Sequence, residues 1–151
     1  MIRQPALQSL SHDHHQALAV ALKLARANAD NVTRARQEFL RFWQAEGQAH
    51  FRLEEEILLP AYAELGNEKD PLIDQVLRDH LAIRRRVTRV ERGVDEPLWA
   101  VRELGGQLAE HVRLEERQLF PRIEELLPPA ELERLAAAFA RAEDGRDDRS
   151  R

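Results

Sequence analysis

The stretch His50–Pro60, HFRLEEEILLP, is written again as HVRLEERQLFP at His111–Pro121, sixty-one residues later and identical at seven of eleven positions. Such a repeat is either a duplicated helix that keeps its core contacts or a site drawing the same ligands from two sides. In each copy a His is followed four residues later by a Glu, His50 with Glu54 and His111 with Glu115. That spacing is one helical turn, so both members of each pair share a face. Leu40, Trp43, Gly47, His50, Glu54 and Ile57 fall on one stripe, and Val101, Leu104, Leu108, His111 and Glu115 on another. Apolar neighbours before and after turn the polar residues inward.

Working outward, apolar residues recur at spacings of three and four nearly throughout, and alternating β-type runs are missing, so the chain reads as all-α. Four long helices are expected, over about Leu7 to Ala29, Thr33 to Leu65, Pro71 to Arg92 and Glu96 to Leu127. Pro128 and Pro129 divide the last from a short fifth helix ending at Ala142. Connections of a few residues favour antiparallel neighbours, hence an up-down-up-down four-helix bundle with a short fifth C-terminal helix. Residues 1–142 form one domain in this reading, and 143–151, EDGRDDRSR, a disordered charged tail. Pro60 and Pro121 each stand ten residues after the repeated His and should interrupt their helices at matching places.

The composition narrows the chemistry. With 151 residues, 43% apolar and 33% charged, the chain is of a size to bury one core. A net charge of -4, with Arg interspersed among Glu, leaves no basic face for nucleic acid. No apolar run approaches the roughly 18 residues of a membrane span, and MIRQPALQSL lacks the apolar core of a signal peptide, which points to the cytoplasm and away from membranes. The chain has no Cys, so any metal must be held by His and carboxylate.

A fainter echo completes the set. DHHQALAV from Asp13 and DHLAIRRRV from Asp79 align His14 with His80. Leu7, Leu10, His14, Ala17 and Ala21 share one stripe, and Ile73, Val76, His80, Ile83 and Val87 the equivalent one. His14 is preferred over His15 because it alone has apolar stripe neighbours on both sides; His15 would face Leu18 and Leu22 instead. One inward His per helix and one inward Glu on two of them would be costly to bury unpaired. Four nitrogens and two bridging-capable carboxylates exceed the needs of one tetrahedral zinc and suit two five- or six-coordinate ions of the Fe or Mn type. The candidate ligands are His14, His50, Glu54, His80, His111 and Glu115.

This order of residues, H, then H-x-x-x-E, then H, then H-x-x-x-E on a duplicated helical chain, resembles the hemerythrin-like family, the HHE cation-binding domain, over roughly Leu7 to Leu127. The resemblance implies a non-haem di-iron centre bridged by carboxylates, with Mn or Zn as substitutes. It also implies a small ligand such as dioxygen, nitric oxide or peroxide, and a role in sensing, storage, protection or repair of iron centres. Oxygen-carrying members add a fifth His on the third helix and an Asp five residues beyond the fourth-helix His. Here Arg84 stands four after His80 and Val76 four before it, while Glu116 occupies the Asp position and Glu115 has the better helical spacing. The iron-repair branch shares the four-His, two-Glu set but carries a Cys-bearing N-terminal segment that this chain lacks.

The alternatives are plain. Glu is 18 of 151 residues, so a Glu four after any given His has a chance of about one in eight, and such pairs can serve the helix alone. A metal-free bundle with a buried polar network is the architectural alternative. Two further functions compete: a peroxidase or iron-oxidising enzyme, and a metal-responsive module with a protein partner. The ferritin-like E-x-x-H pattern is absent, since Ser11, Gly47, Leu77 and Leu108 precede the histidines by three. Glu55, Glu56 and Glu116 are expected to face solvent or Arg, Asp13 and Asp79 to cap or to orient, Tyr62 to pack, and Trp43, Trp99, Phe39, Phe42, Phe51 and Phe120 to be core.

Overall fold

The computed structural model describes residues 2–93 and 96–149, and among them every regular element is helical. We number five helices: α1 (Pro5–Ala25), α2 (residues 32–67), α3 (Pro71–Arg92), α4 (residues 98–126) and α5 (Pro129–Arg149). The third matches its sequence expectation at both ends. The sequence places the end of α5 at Ala142; the helical backbone instead continues to Arg149, since extending a formed helix is cheap where nucleating one is not. Among the described residues no helix is long and apolar enough to cross a membrane.

Local chemistry sets the boundaries. Pro5, Pro71 and Pro129 each stand in a first turn, where a missing N–H is no loss. Between α1 and α2, Asn28 and Asn31 close the turn on each other: the Asn28 side-chain oxygen accepts from the backbone N–H of Asp30 and Asn31, and the Asn31 side-chain oxygen accepts from the Asn28 N–H. Asp70 caps α3 through the Leu72 N–H at 2.9 Å, accepts the Tyr62 hydroxyl at 2.6 Å and receives Arg122 at 2.8 Å. Those three donors allow a buried carboxylate there, and they tie the end of α2 to the start of α3 and to α4.

The helix α1 packs along α4 and α2, α3 lies against α4, and α5 crosses α1 and α2. Their buried stripes form two apolar clusters. One holds Leu7, Leu10, Leu58, Tyr62, Leu119 and Phe120 with Leu135 and Phe139 of α5; the other holds Ala21, Leu24, Phe39, Trp43, Ile83 and Leu104. Between them lies a layer of six buried ionisable side chains. Trp99 corrects the sequence reading: it is 62% exposed, because in the first turn of α4 it is Leu98 that turns to the core. Along α2 the stripe runs through Phe39 and Leu58, with Leu40 and Ile57 only half-buried, because π-turns at Trp43–Gly47 and Glu54–Leu58 advance the face by about one residue.

The close approach of α1 and α4 depends on Gly105. A Cβ there would sit on the backbone of Ala21 and Ala25 and 2.7 Å from Leu24 Cβ. Backbone cannot step aside as a side chain can, so Gly105→Ala should destabilise the protein by about 1–3 kcal/mol. Neighbouring Gly106 faces open space, and Gly106→Ala should be neutral or slightly stabilising. Chemical denaturation of the two variants side by side checks this, and equal midpoints would refute it.

Candidate metal centre

The six predicted residues converge. His14 comes from α1, His50 and Glu54 from α2, His80 from α3, and His111 and Glu115 from α4, all buried. His15 and His12 are exposed on the outer side of α1. Each Glu opens a π-turn, Glu54–Leu58 and Glu115–Leu119, in which the Leu59 N–H reaches the Glu54 carbonyl and the Phe120 N–H that of Glu115. Pro60 and Pro121 follow directly. A proline in a regular helix lacks the N–H for the fourth carbonyl back and its ring collides with that carbonyl; the wider turn accommodates both defects. The interruption expected from the prolines is thus present, and it falls on the two glutamates.

The polar atoms face one centre. His50 Nε2 lies 3.1 Å from His14 Nε2 and 3.2 Å from Glu54 Oε2. The other Glu54 oxygen is 3.1 Å from His80 Nε2. Glu115 Oε1 stands 3.2 Å from His111 Nε2 and 3.3 Å from His14 Nε2. Two groups that could each hold an ion result, His14, His50, Glu54 and Glu115, and Glu54, His80, His111 and Glu115, with both glutamates common to the two.

A test of fit lies in the unsatisfied atoms. Among the described residues, the buried side-chain atoms without a hydrogen-bond partner include both oxygens of Glu54, both oxygens of Glu115 and Nε2 of His80 and of His111. They form close His–carboxylate pairs at 3.1–3.3 Å that lack hydrogen-bond geometry, and buried polar atoms short of hydrogen bonds are costly, so an ion among them would satisfy them better than they satisfy one another. Two donors at right angles around an ion about 2.1 Å away lie about 3.0 Å apart, close to the separations above. The residues therefore fit a metal.

Each of the four buried histidines is also held at its far nitrogen. Nδ1 of His14 donates to Glu116 at 2.8 Å, of His50 to Asp13 at 3.0 Å, of His80 to Glu55 at 2.6 Å and of His111 to Asp79 at 2.9 Å. A proton fixed on Nδ1 leaves the Nε2 lone pair directed inward, the tautomer a metal requires. From sequence, Glu55 and Glu116 are expected against solvent or Arg. They contact Arg84 and Arg3, respectively, but they also hold a histidine. The in-register EE of the repeat was the available clue. Asp13 and Asp79 orient the histidine of the following helix rather than their own neighbours, which no linear pattern reveals.

The electrostatics follow. Burial opposes charging of His111, but Glu115 and Asp79 outweigh it and raise its pKa to about 10. His50 is raised well above its ordinary value against the same burial cost, chiefly by Glu54 and Asp13. Burial would raise Glu115, yet His111 and His14 among its neighbours hold it well below the usual range. Burial likewise opposes ionisation of Glu55, and His80 with Arg84 lowers it to about 2.

The Hemerythrin HHE cation binding domain family model matches residues 6–123. The chain belongs to this family. The matched span contains all six converging residues and ends within α4, before α5. No curated protein and no solved structure matches the chain. A buried His and Glu cluster able to hold metal is thus present in a chain of a cation-binding family.

In protein stripped of metal, the His111 pKa of about 10 against an ordinary 6.5 means the folded state favours the protonated ring. That contribution is fully present below about pH 6.5 and is lost as pH rises through about 10. The Tm of stripped protein should fall between pH 7 and 10, whereas metal-loaded protein, whose ligands are deprotonated, should hold its Tm or gain. A stripped-protein Tm that rises over this range would refute the assignment.

Proposed function

We propose that the chain is a cytoplasmic non-haem di-iron protein, an up-down-up-down bundle that takes up dioxygen, nitric oxide or peroxide in a sensing, storage or protective role. The observation that carries this reading is the set of Glu54, Glu115, His80 and His111 atoms that meet in one buried layer without a hydrogen bond. His14 and His50 would hold one ion, His80 and His111 the other, and Glu54 and Glu115 would bridge them. Iron bound there would supply open coordination positions and reversible electron transfer, chemistry that no side chain of this Cys-free protein offers. Mn or Zn could occupy the same donors.

The remaining residues suit a small ligand. A cavity of about 10 Å³ adjoins His14, His50, His111 and Glu115, walled by Ala17, Trp43, Gly47, Phe51, Leu108 and Val112. That is room for about one water-sized molecule. The apolar wall excludes bulk water and favours an uncharged guest, while Asp13, half-buried at its edge, orients His50. The absence of a fifth histidine supports open positions: Arg84, four after His80, turns to Glu55 instead.

Iron content of protein from iron-supplemented cells tests the centre. About two atoms per chain are expected, lost in both His50→Ala and His111→Ala, and a wild type that refuses added iron would end the reading. The cavity has its own test. A Cβ on Gly47 would lie 2.7 Å from the Trp43 ring, so Gly47→Ala should slow nitric oxide or dioxygen uptake severalfold with iron content unchanged. Rapid turnover of peroxide without a stable adduct would favour the enzyme reading.

A further inference from the structure

Two of the four histidines are enclosed in a way the other two are not. His80 donates through Nδ1 to Glu55, and the guanidinium of Arg84 forks onto the same carboxylate, Nη1 at 2.6 Å and Nη2 at 3.0 Å. Arg84 also lies over the Phe51 ring at 5.4 Å, and Phe51 stacks on His80 with centroids 3.8 Å apart and planes 3° from parallel. The four side chains close a loop, His80 to Glu55 to Arg84 to Phe51 and back. A comparable but looser loop exists in the other half, where Arg3 reaches one Glu116 carboxylate oxygen and turns its other terminal nitrogen to Glu124. His14 donates to Glu116; Arg3 reaches Glu116 at 3.0 Å and lies over Phe120 at 5.5 Å; Phe120 stacks on His14 at 5.2 Å and 16°. By contrast, His50 and His111 rest on Asp13 and Asp79, which have no arginine partner among the ion pairs of the described residues.

Duplication does not account for the likeness. Glu55 and Glu116 correspond in the repeat, but the position matching Phe51 is Val112, and that matching Phe120 is Leu59. The residue matching Arg84 in the fainter echo is Leu18, and Arg3 matches Lys69. Comparable loops are thus assembled from unequal positions, one clamp beside each of the two groups that could hold an ion.

We propose that Arg84 and Arg3 are positioning residues, one for each half of the metal centre, which hold His80 and His14 in the plane and tautomer of a strong ligand. The proposal rests on the di-iron reading above. The physical basis is twofold. The Arg84 fork fixes both Glu55 oxygens, while Arg3 anchors one Glu116 oxygen and the Glu116 carbonyl and is itself tied to Glu124. In each case the carboxylate that holds the imidazole is restrained, and the ring stack opposes tilt from the other side. Loss of one arginine should therefore loosen one ion and leave its neighbour.

The test is anaerobic titration of ferrous ion into full-length stripped protein against a competing chelator, with the Tm of each stripped variant as control. Arg84→Met keeps the alkyl stem on Phe51 but removes the fork. It should weaken one of two equivalents about ten- to a hundredfold with the other unchanged; Arg3→Met should do the same, and the double variant should weaken both. Arg84→Lys, which keeps charge without the fork, should fall between and serves if Arg84→Met does not fold. Two wild-type equivalents with both affinities unchanged in Arg84→Met, or both weakened alike, would overturn the clamp alone. A wild type that binds no iron would instead remove the di-iron reading and the clamp with it.

Discussion

Ionised side chains in a low-dielectric core cost several kcal/mol each unless they are paired, and here six ionisable groups occupy one layer between two apolar clusters. Leu10 and Ala17 flank His14, Val76 and Ile83 flank His80, and the remaining four stand at equivalent depth on α2 and α4. The helices can pack only if the charges in that layer sum to something small. Carboxylates against raised imidazoles achieve part of this. The atoms left without a hydrogen bond show what the layer still lacks, and a cation with directional acceptor orbitals is of a kind to complete it.

The same demand shapes the backbone. Glu54 must present one oxygen to each half of the layer, and Glu115 must reach His14 across the bundle while remaining beside His111. Both begin π-turns, and both π-turns are followed by a proline that a regular helix would not tolerate. A feature that weakens each helix locally thus coincides with the residues that must depart from regular register. The cost is offset by the apolar packing of Leu58 and Leu119, buried in the wider turns.

Outside the layer, a ring of four carboxylates sets the direction of four imidazoles. The ring joins elements far apart in sequence: Asp13 of α1 serves α2, Asp79 of α3 serves α4, Glu55 of α2 serves α3, and Glu116 of α4 serves α1. Each helix therefore orients a histidine on another, so the four directions are coupled through the fold. The small cavity alongside is walled largely by apolar side chains, which limit the access of bulk water to that side.

Much of this was legible in the sequence, because helical periodicity is a local property. The stripe through His111 and Glu115, the matching of His14 with His80, and the interruption before Pro60 and Pro121 all follow from spacings of three, four and ten residues. The family resemblance rests on the same spacings and agrees with the match over residues 6–123. Tertiary structure decided what no spacing encodes: that Asp13 turns to His50, that Arg84 and Arg3 close loops on Glu55 and Glu116, that Gly105 sets the approach of α1 to α4, and that Trp99 stays outside. Those depend on how far and at what rotation one helix lies from the next. That distance is set by side chains meeting from separate parts of the chain, whereas a stripe is set by one helix alone.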